Sequence, residues 1–421
     1  MSRPGKDAAE SATPMLANLV RAGDGQTEAI AINDFIFMAQ DISNAYLVTT
    51  DDGDILVNTG FMDNAERNKG WLAEKRTGPL RHIVITQGHA DHYGGVPEMR
   101  EPDTLIVAGK RFEETCAYFK KLGPYLQRRS AKLWASTMRR GNAPKTPPDV
   151  TPDIAVEKSY EFEVGERQFE VLLTPGGESP DGLIVWMPRE KVVFTGNLFG
   201  PVFRAMPNLN TLRGDKPRSV DLYLECLDRV RALGAELLVT GHGEPIRGAE
   251  KISSDLADMH AAVSHVRDAV IVGMNAGKDV HTLMREVQLP PHLQIGEFHG
   301  KTSWAVRSIW EGYSGWFYYD STTALYATPR ASVYADLCEL AGGSEKLAAR
   351  ARVKLNDGAT LEALHLLDVA LGAEPSCRRA HEVKKDALES LLRAHGGENL
   401  SETMWLRSEI SLVDEKLQSL A

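Results

Sequence analysis

Two imidazoles and a carboxylate stand within four residues at His89, Asp91 and His92, on a loop pinned by Gly88, Gly94 and Gly95 and entered from the apolar run Ile83-Val-Ile85. Ring nitrogen and carboxylate oxygen without thiolate form a donor set for a borderline cation such as Zn²⁺. A single loop cannot surround an ion, so a catalytic site needs donors from distant parts of the chain. Three segments, each at the end of a strand-like run, offer candidates. Thr174-Pro-Gly-Gly-Glu-Ser-Pro-Asp-Gly182 carries Glu178, and Phe194-Thr-Gly-Asn-Leu-Phe199 carries the neutral Asn197. Val239-Thr-Gly-His-Gly-Glu-Pro245 carries His242 between two glycines.

These segments need a scaffold that ends several strands in one place. Ile30 to Met38, Asn44 to Thr50 and Asp54 to Gly60 alternate as short strands, the last two joined by the tight Asp-Gly turn at 52–53. A helix is predicted around 63–76 and a strand at 82–86. The second half repeats the scheme with strands at 168–174, 183–187, 191–195 and 236–240 and a helix at 219–233. Residues 110–145 interrupt it with helices carrying ten Lys or Arg against two Glu, interleaved with aromatic and aliphatic residues such as Phe119 and Trp134. Their default role is a solvated amphipathic pair. The sharper role is a lid with an apolar face towards substrate, closed by Pro144, Pro147 and Pro148. Beyond about residue 250 the pattern is helical, with segments near 252–275, 279–287, 301–314, 331–354, 359–371, 375–396 and 399–417. The expected division is a flexible leader at 1–28, a metal-binding domain at 29–250 and an all-α domain at 251–421.

The metal loop resembles the His-x-His-x-Asp-His signature of the metallo-β-lactamase superfamily, with Gln87 in place of the first His. Asn58-Thr-Gly60 resembles the family's Asp-Thr-Gly turn, and His242 matches its last ligand. The resemblance implies an α/β fold, an αββα sandwich followed by the helical domain. It narrows to the alkylsulfatase branch at Glu178, where that branch has a Glu in place of a His, and at Asn208-Leu-Asn-Thr-Leu-Arg-Gly214, similar to its sulfate-holding stretch. Tyr313-Ser-Gly-Trp-Phe317 and Leu340-Ala-Gly-Gly343, with the helices after it, resemble the branch's later signature and dimerisation domain. Two features depart from the branch. Asn197 occupies the place of a metal-bridging acid, and a sterol-carrier-like third domain is not expected.

In chemical terms, Asp91, His92 and His242 would form a tripod for one Zn²⁺ with a position left for water, an arrangement that lowers the pKa of that water towards about 7. His89, Glu178 and the weak amide donor Gln87 would hold a second ion less well, so one or two ions with unequal occupancy are expected. Asp91 is also expected to orient the attacking water, and Arg213 with Asn208 to bind an anionic ester group. Arg218, five residues on, is a lesser candidate. The resulting expectation is a zinc-dependent hydrolase of an alkyl sulfate ester. The alternatives are a carboxylic ester, lactone, β-lactam or phosphoester hydrolase of the same fold, and a catalytically degenerate binding scaffold.

Composition sets outer limits. The 421 residues suffice for two domains or three, and 43% apolar with 25% charged residues is ordinary for a soluble globular protein. A net charge of −10 argues against nucleic acid as a main partner. Cys116, Cys226, Cys338 and Cys377 are widely scattered, as befits reduced thiols. The amino-terminal residues lack a signal-peptide core and no segment is apolar for about 20 residues, so a cytoplasmic, membrane-free homodimer acting on a small anionic ester with an apolar group is expected.

Overall fold

The computed structural model describes residues 14–134 and 146–421. The parts of the expected leader at 1–13 and of the insertion at 135–145 lie outside the described residues. The chain divides into two compact units, a larger one between Met15 and Tyr313, apart from the residues from Ser130 to Trp134, and a helical one made chiefly of Ser314–Ala421.

The larger unit contains two sheets. The first joins β1 (Ile30–Ala31), β2 (Ile36–Ala39), β3 (Ala45–Thr50), β4 (Gly53–Val57), β5 (Leu80–Val84), β6 (Leu105–Gly109) and β7 (Ile154–Val156) in sequence order. It is antiparallel up to β4 and parallel from β4 to β7. The second orders β13 (Ile246–Arg247), β12 (Leu237–Thr240), β11 (Val192–Gly196), β10 (Leu183–Met187), β9 (Arg167–Leu173) and β8 (Ser159–Val164). Only β11 and β12 pair in parallel there.

Side chains alternate across a strand, so each strand of the first sheet supplies two cores. Tyr46 and Val48 of β3, Ile55 and Val57 of β4 and Val84 of β5 meet Phe169, Val171, Val185 and Phe194 of the second sheet. From the opposite face, Leu47, Leu56, Ile83 and Ile106 pack on Leu72 of α2 (Ala65–Ala73), Tyr93 of α3 (Ala90–Tyr93), Val96 and Met99 of α4 (Val96–Met99) and Phe112 of α5 (Phe112–Lys121). A one-residue slip of a strand would exchange these two sets, so the register is firmly specified. The helix α6 (Gly123–Leu133) follows α5. Behind the second sheet, α7 (Val220–Leu233) packs on α8 (Ala249–Asn275), which lies against β12 and β13. Ser219 caps the start of α7 by accepting from Leu222 N–H, and Gly234 ends it at φ 65°. The layers are therefore helix, sheet, sheet, helix.

Two expectations change. The leader does not extend to residue 28: a short helix α1 spans Met15–Leu19, with Leu16 wholly buried. Five residues are too few to display helical periodicity, which hid it. The turn to helical composition near residue 250 and the end of the larger unit at Tyr313 fall at different places. The helices α8, α9 (Val280–Glu286) and most of α10 (Thr302–Ser314) belong to the unit that holds the sandwich.

The helical unit contains α11 (Tyr334–Leu340), α12 (Ser344–Asn356), α13 (Thr360–Ala373), α14 (Arg378–His395) and α15 (Leu400–Ser419). Its core uses Ala348, Ala351, Ala363, Ala370 and Ala380 around Leu347, Leu367 and Val383. Small side chains at these crossings let the helix axes approach closely. The segment expected at 331–354 is broken between α11 and α12 because Gly342 and Gly343 take φ of 84° and 103°, which L residues rarely adopt.

Candidate metal centre

The site lies where strands of both sheets end. Thr86 and Gln87 follow β5, Asn197 follows β11, and His242 lies two residues beyond β12. Asp91 and His92 come from α3, one turn long, which follows the β5 loop. The turn after β4 ties this loop down. Thr59 N–H donates to the His92 carbonyl at 2.9 Å, and the Thr59 hydroxyl accepts from Gly95 N–H at 3.1 Å. Asn58, at φ 61°, accepts from both the N–H and the hydroxyl of Thr86, at 2.9 and 3.0 Å.

These hydroxyl contacts fix the proton on His92. The Thr86 hydroxyl lies 3.1 Å from His92 Nδ1 but spends its hydrogen on Asn58. Ser43 Oγ lies 3.2 Å from the same nitrogen and spends its hydrogen on the Gly241 carbonyl. Both oxygens are left as acceptors, so Nδ1 carries the hydrogen and Nε2 carries the lone pair. That lone pair lies 3.7 Å from Asp91 Oδ2. The His92 and His242 rings meet nearly at right angles, 85°, with centroids 5.9 Å apart. Ligand atoms of Asp91, His92 and His242 all fall within 4.8 Å of one another, the only such group of three His, Cys, Asp or Glu side chains among the described residues.

The electrostatics suit a cation. Burial, with the neighbouring His242, holds His92 well below its ordinary pKa, and burial lowers His242 as well. Both rings are therefore neutral at pH 7 and present lone pairs. Zinc ligands at about 2.0–2.1 Å from the metal stand ~3.4 Å apart, so the tripod needs only a modest contraction. Closeness of packing limits what else enters: a Cβ on Gly241 would lie 2.2 Å from Asn197 Oδ1 and 3.2 Å from His92 Cε1. The donor set thus fits one ion at Asp91, His92 and His242.

The second set is brought near but not together. Gln87 Nε2 donates to His89 Nδ1 at 2.8 Å and to His92 Nε2 at 3.0 Å. His89 Nδ1 is 4.0 Å from Glu178 Oε2. Asn197 Nδ2 donates to Glu178 Oε2 at 2.9 Å and to His242 Nε2 at 3.1 Å, while its Oδ1 is buried without a hydrogen-bond partner. Burial together with the Arg213 charge lowers His89 to a pKa of about 4.

Of the expected anion-binding pair, Asn208 is buried with its side-chain oxygen unpartnered. Arg213 stands 3.6 Å from Asp215 and 5.9 Å from the Phe119 ring centroid. Phe119 in turn meets His89 edge-on at 5.1 Å. Sequence reasoning did not find the supports Ser43 and Thr86, nor His299, whose Nε2 lies 3.5 Å from Glu178 Oε1. The supporting hydroxyls carry no motif of their own. A hydroxyl immediately before Gln87 was the one available signal.

Known proteins resemble this chain in both of its parts. The chain matches the metallo-beta-lactamase superfamily over residues 38–242 and the alkyl sulfatase dimerisation family over residues 279–408. A linear primary-alkylsulfatase of Pseudomonas sp. is 26% identical over 400 residues, covering 88% of this chain and 74% of the relative. An alkyl/aryl-sulfatase of Saccharomyces cerevisiae is 24% identical, covering 83% of this chain and 58% of the relative. The solved structure of the stereoselective inverting sec-alkylsulfatase Pisa1 from Pseudomonas sp. superposes with a TM-score of 0.79 at 22% identity, over 92% of this chain and 65% of that one. The chain thus spans only part of the length of these relatives. Sandwich and sequence converge: the chain carries a metallo-beta-lactamase superfamily domain over residues 38–242, followed in sequence by an alkyl sulfatase dimerisation region over residues 279–408.

Proposed function

We propose that this protein is a zinc-dependent hydrolase of alkyl sulfate esters, working at the site of Asp91, His92 and His242. The observation that carries the reading is the convergence of these three donors, with the His92 lone pair aimed inward by Ser43 and Thr86. A decayed scaffold has no need to keep a complete tripod together with the hydroxyls that orient it. When bound, such an ion supplies Lewis acidity and lowers the pKa of water towards about 7.

The remaining roles belong to the chain. Asp91, with 21% of its side chain exposed, orients the attacking water through the carboxylate oxygen not used as a ligand. Arg213 meets the ester's anionic group with its planar fork of donors, and Asn208 adds a neutral hydrogen bond. Phe119, between His89 and Arg213, offers an apolar wall for the alkyl chain. The sulfate ester rather than a carboxylic ester is favoured by the relatives named above, whose names record that substrate class.

A homodimer through the residues after about 250 is part of the same reading. Trp316, Tyr319, Leu325, Tyr326, Leu337 and Leu340 are exposed within 25 residues of the dimerisation-like region, an apolar density typical of a surface that is covered in an assembly. The four cysteines are free, three of them buried, which suits a reducing, cytoplasmic compartment. Among the described residues no helix is long and apolar enough to cross a membrane.

The test is metal analysis joined to release assays on sulfate, phosphate and carboxylate esters. His92→Ala and His242→Ala are each expected to lose most bound zinc and all measurable turnover. One retained equivalent of zinc with normal turnover in either variant refutes the metal centre, and turnover confined to carboxylic esters refutes the substrate class.

A further inference from the structure

Glu178 is almost wholly buried, with 9% of its side chain exposed, and an isolated carboxylate there would be costly. Its partners are already present. Arg218, equally buried, lies 3.3 Å from Oε1 and donates to the Asn208 carbonyl at 2.7 Å. Asn197 holds Oε2 at 2.9 Å. His299 stands 3.5 Å from Oε1. The second face of Arg218 lies 3.7 Å from Asp215, which stands 3.6 Å from Arg213. Glu178, Arg218, Asp215 and Arg213 therefore form a row of alternating charges with no surplus negative charge for a dication.

We propose that the position of a second metal ion is filled from within, the buried Arg218 guanidinium neutralising Glu178 in the place a second cation would take. The protein is then a one-ion enzyme, and Arg218 is a positioning residue that neutralises Glu178 and fixes it beside His89. The inference rests on the metal centre assigned above.

Zinc stoichiometry tests it on the full-length protein, stripped with chelator and dialysed against excess zinc. The wild type and Gln87→His/Asn197→Asp are expected to hold one ion, and adding Arg218→Met to the latter is expected to admit a second, tightening it by at least about tenfold. Two tight ions in either protein with Arg218 intact, or one in the triple variant, overturn the proposal.

Because the triple variant places three changes in one buried site, a cycle of Arg218→Met and Glu178→Gln is melted in chelator as well. The double variant is expected to lose clearly less thermal stability than the sum of the singles, since each single change strands a buried charge. Additive losses overturn the proposal. A wild type that binds no zinc refutes the metal centre, while the cycle, run without metal, still decides whether Arg218 neutralises Glu178.

Discussion

Replacing Arg213 with alanine separates recognition of an anionic head group from support of the fold. Its structural contribution is small. The nearest acid, Asp215, is 3.6 Å away, the Arg213 side chain is 27% exposed, and Asp215 keeps Arg218 at 3.7 Å. Ion pairs of that exposure are worth about 0–1 kcal/mol, so the variant should fold and melt close to the parent. Its contribution to a bound sulfate is larger, since a charge-assisted contact is worth about 1.5–3 kcal/mol. That corresponds to a loss of roughly ten- to 150-fold in kcat/KM on an alkyl sulfate, with far less effect on a neutral carboxylic ester of equal chain length. Calorimetric binding of an alkyl sulfonate against the corresponding alcohol gives the same comparison without turnover. Arg213→Lys should recover only part, because a point charge replaces the fork. Equal losses on charged and neutral ligands would refute the reasoning and assign Arg213 to the fold.

Thr86→Val removes one of the two acceptors for His92 Nδ1–H and is expected to weaken zinc binding about 10- to 100-fold; unchanged affinity in a competition titration would show that Ser43 alone fixes the ring. His82 stacks on Phe162 at 4.1 Å, and burial with Arg81 nearby lowers its pKa from 6.5 to about 4. A depressed folded pKa gives stability that is complete above 6.5 and lost as pH falls towards 4, roughly 3 kcal/mol in all. Melting of chelated protein should fall across that window, and less steeply in His82→Phe; identical slopes would contradict the assignment. Light scattering at micromolar concentration should report a dimer, and Trp316→Glu with Leu340→Glu a monomer; a monomeric parent would refute the assembly.

The meeting of Asp91, His92 and His242 was legible because each follows a strand and stands beside glycine or in a tight loop, a local pattern that chain order preserves. The strands β9 to β12 and the helix α7 fall within a residue of their expected places, since continuous apolar runs bounded by turn residues leave little freedom. What was not legible depends on contacts distant in sequence. Nothing near Glu178 announces that Arg218, forty residues later, and His299 close around it. The relative burial of Arg213 and Arg218 is likewise a property of the folded loop, and it gives Arg218 a part that spacing alone assigned only weakly. The composition change at 250 misplaces the unit boundary because α8 is amphipathic enough to look independent yet packs on α7 and β12.

The clamp on His92 joins four separate strand connections: Ser43 before β3, the turn after β4, Thr86 after β5, and Gly241 after β12. Each of these contacts is made by the polypeptide alone, so the imidazole is oriented during folding, before any ion arrives. In small zinc domains the metal drives the chain's collapse, and chelation unfolds it. In this protein the contacts predict that the two events are uncoupled. An ion at this site should be withdrawn and exchanged on a finished scaffold, with circular dichroism expected to stay unchanged, so that the choice of metal would follow supply and ligand chemistry after folding is over.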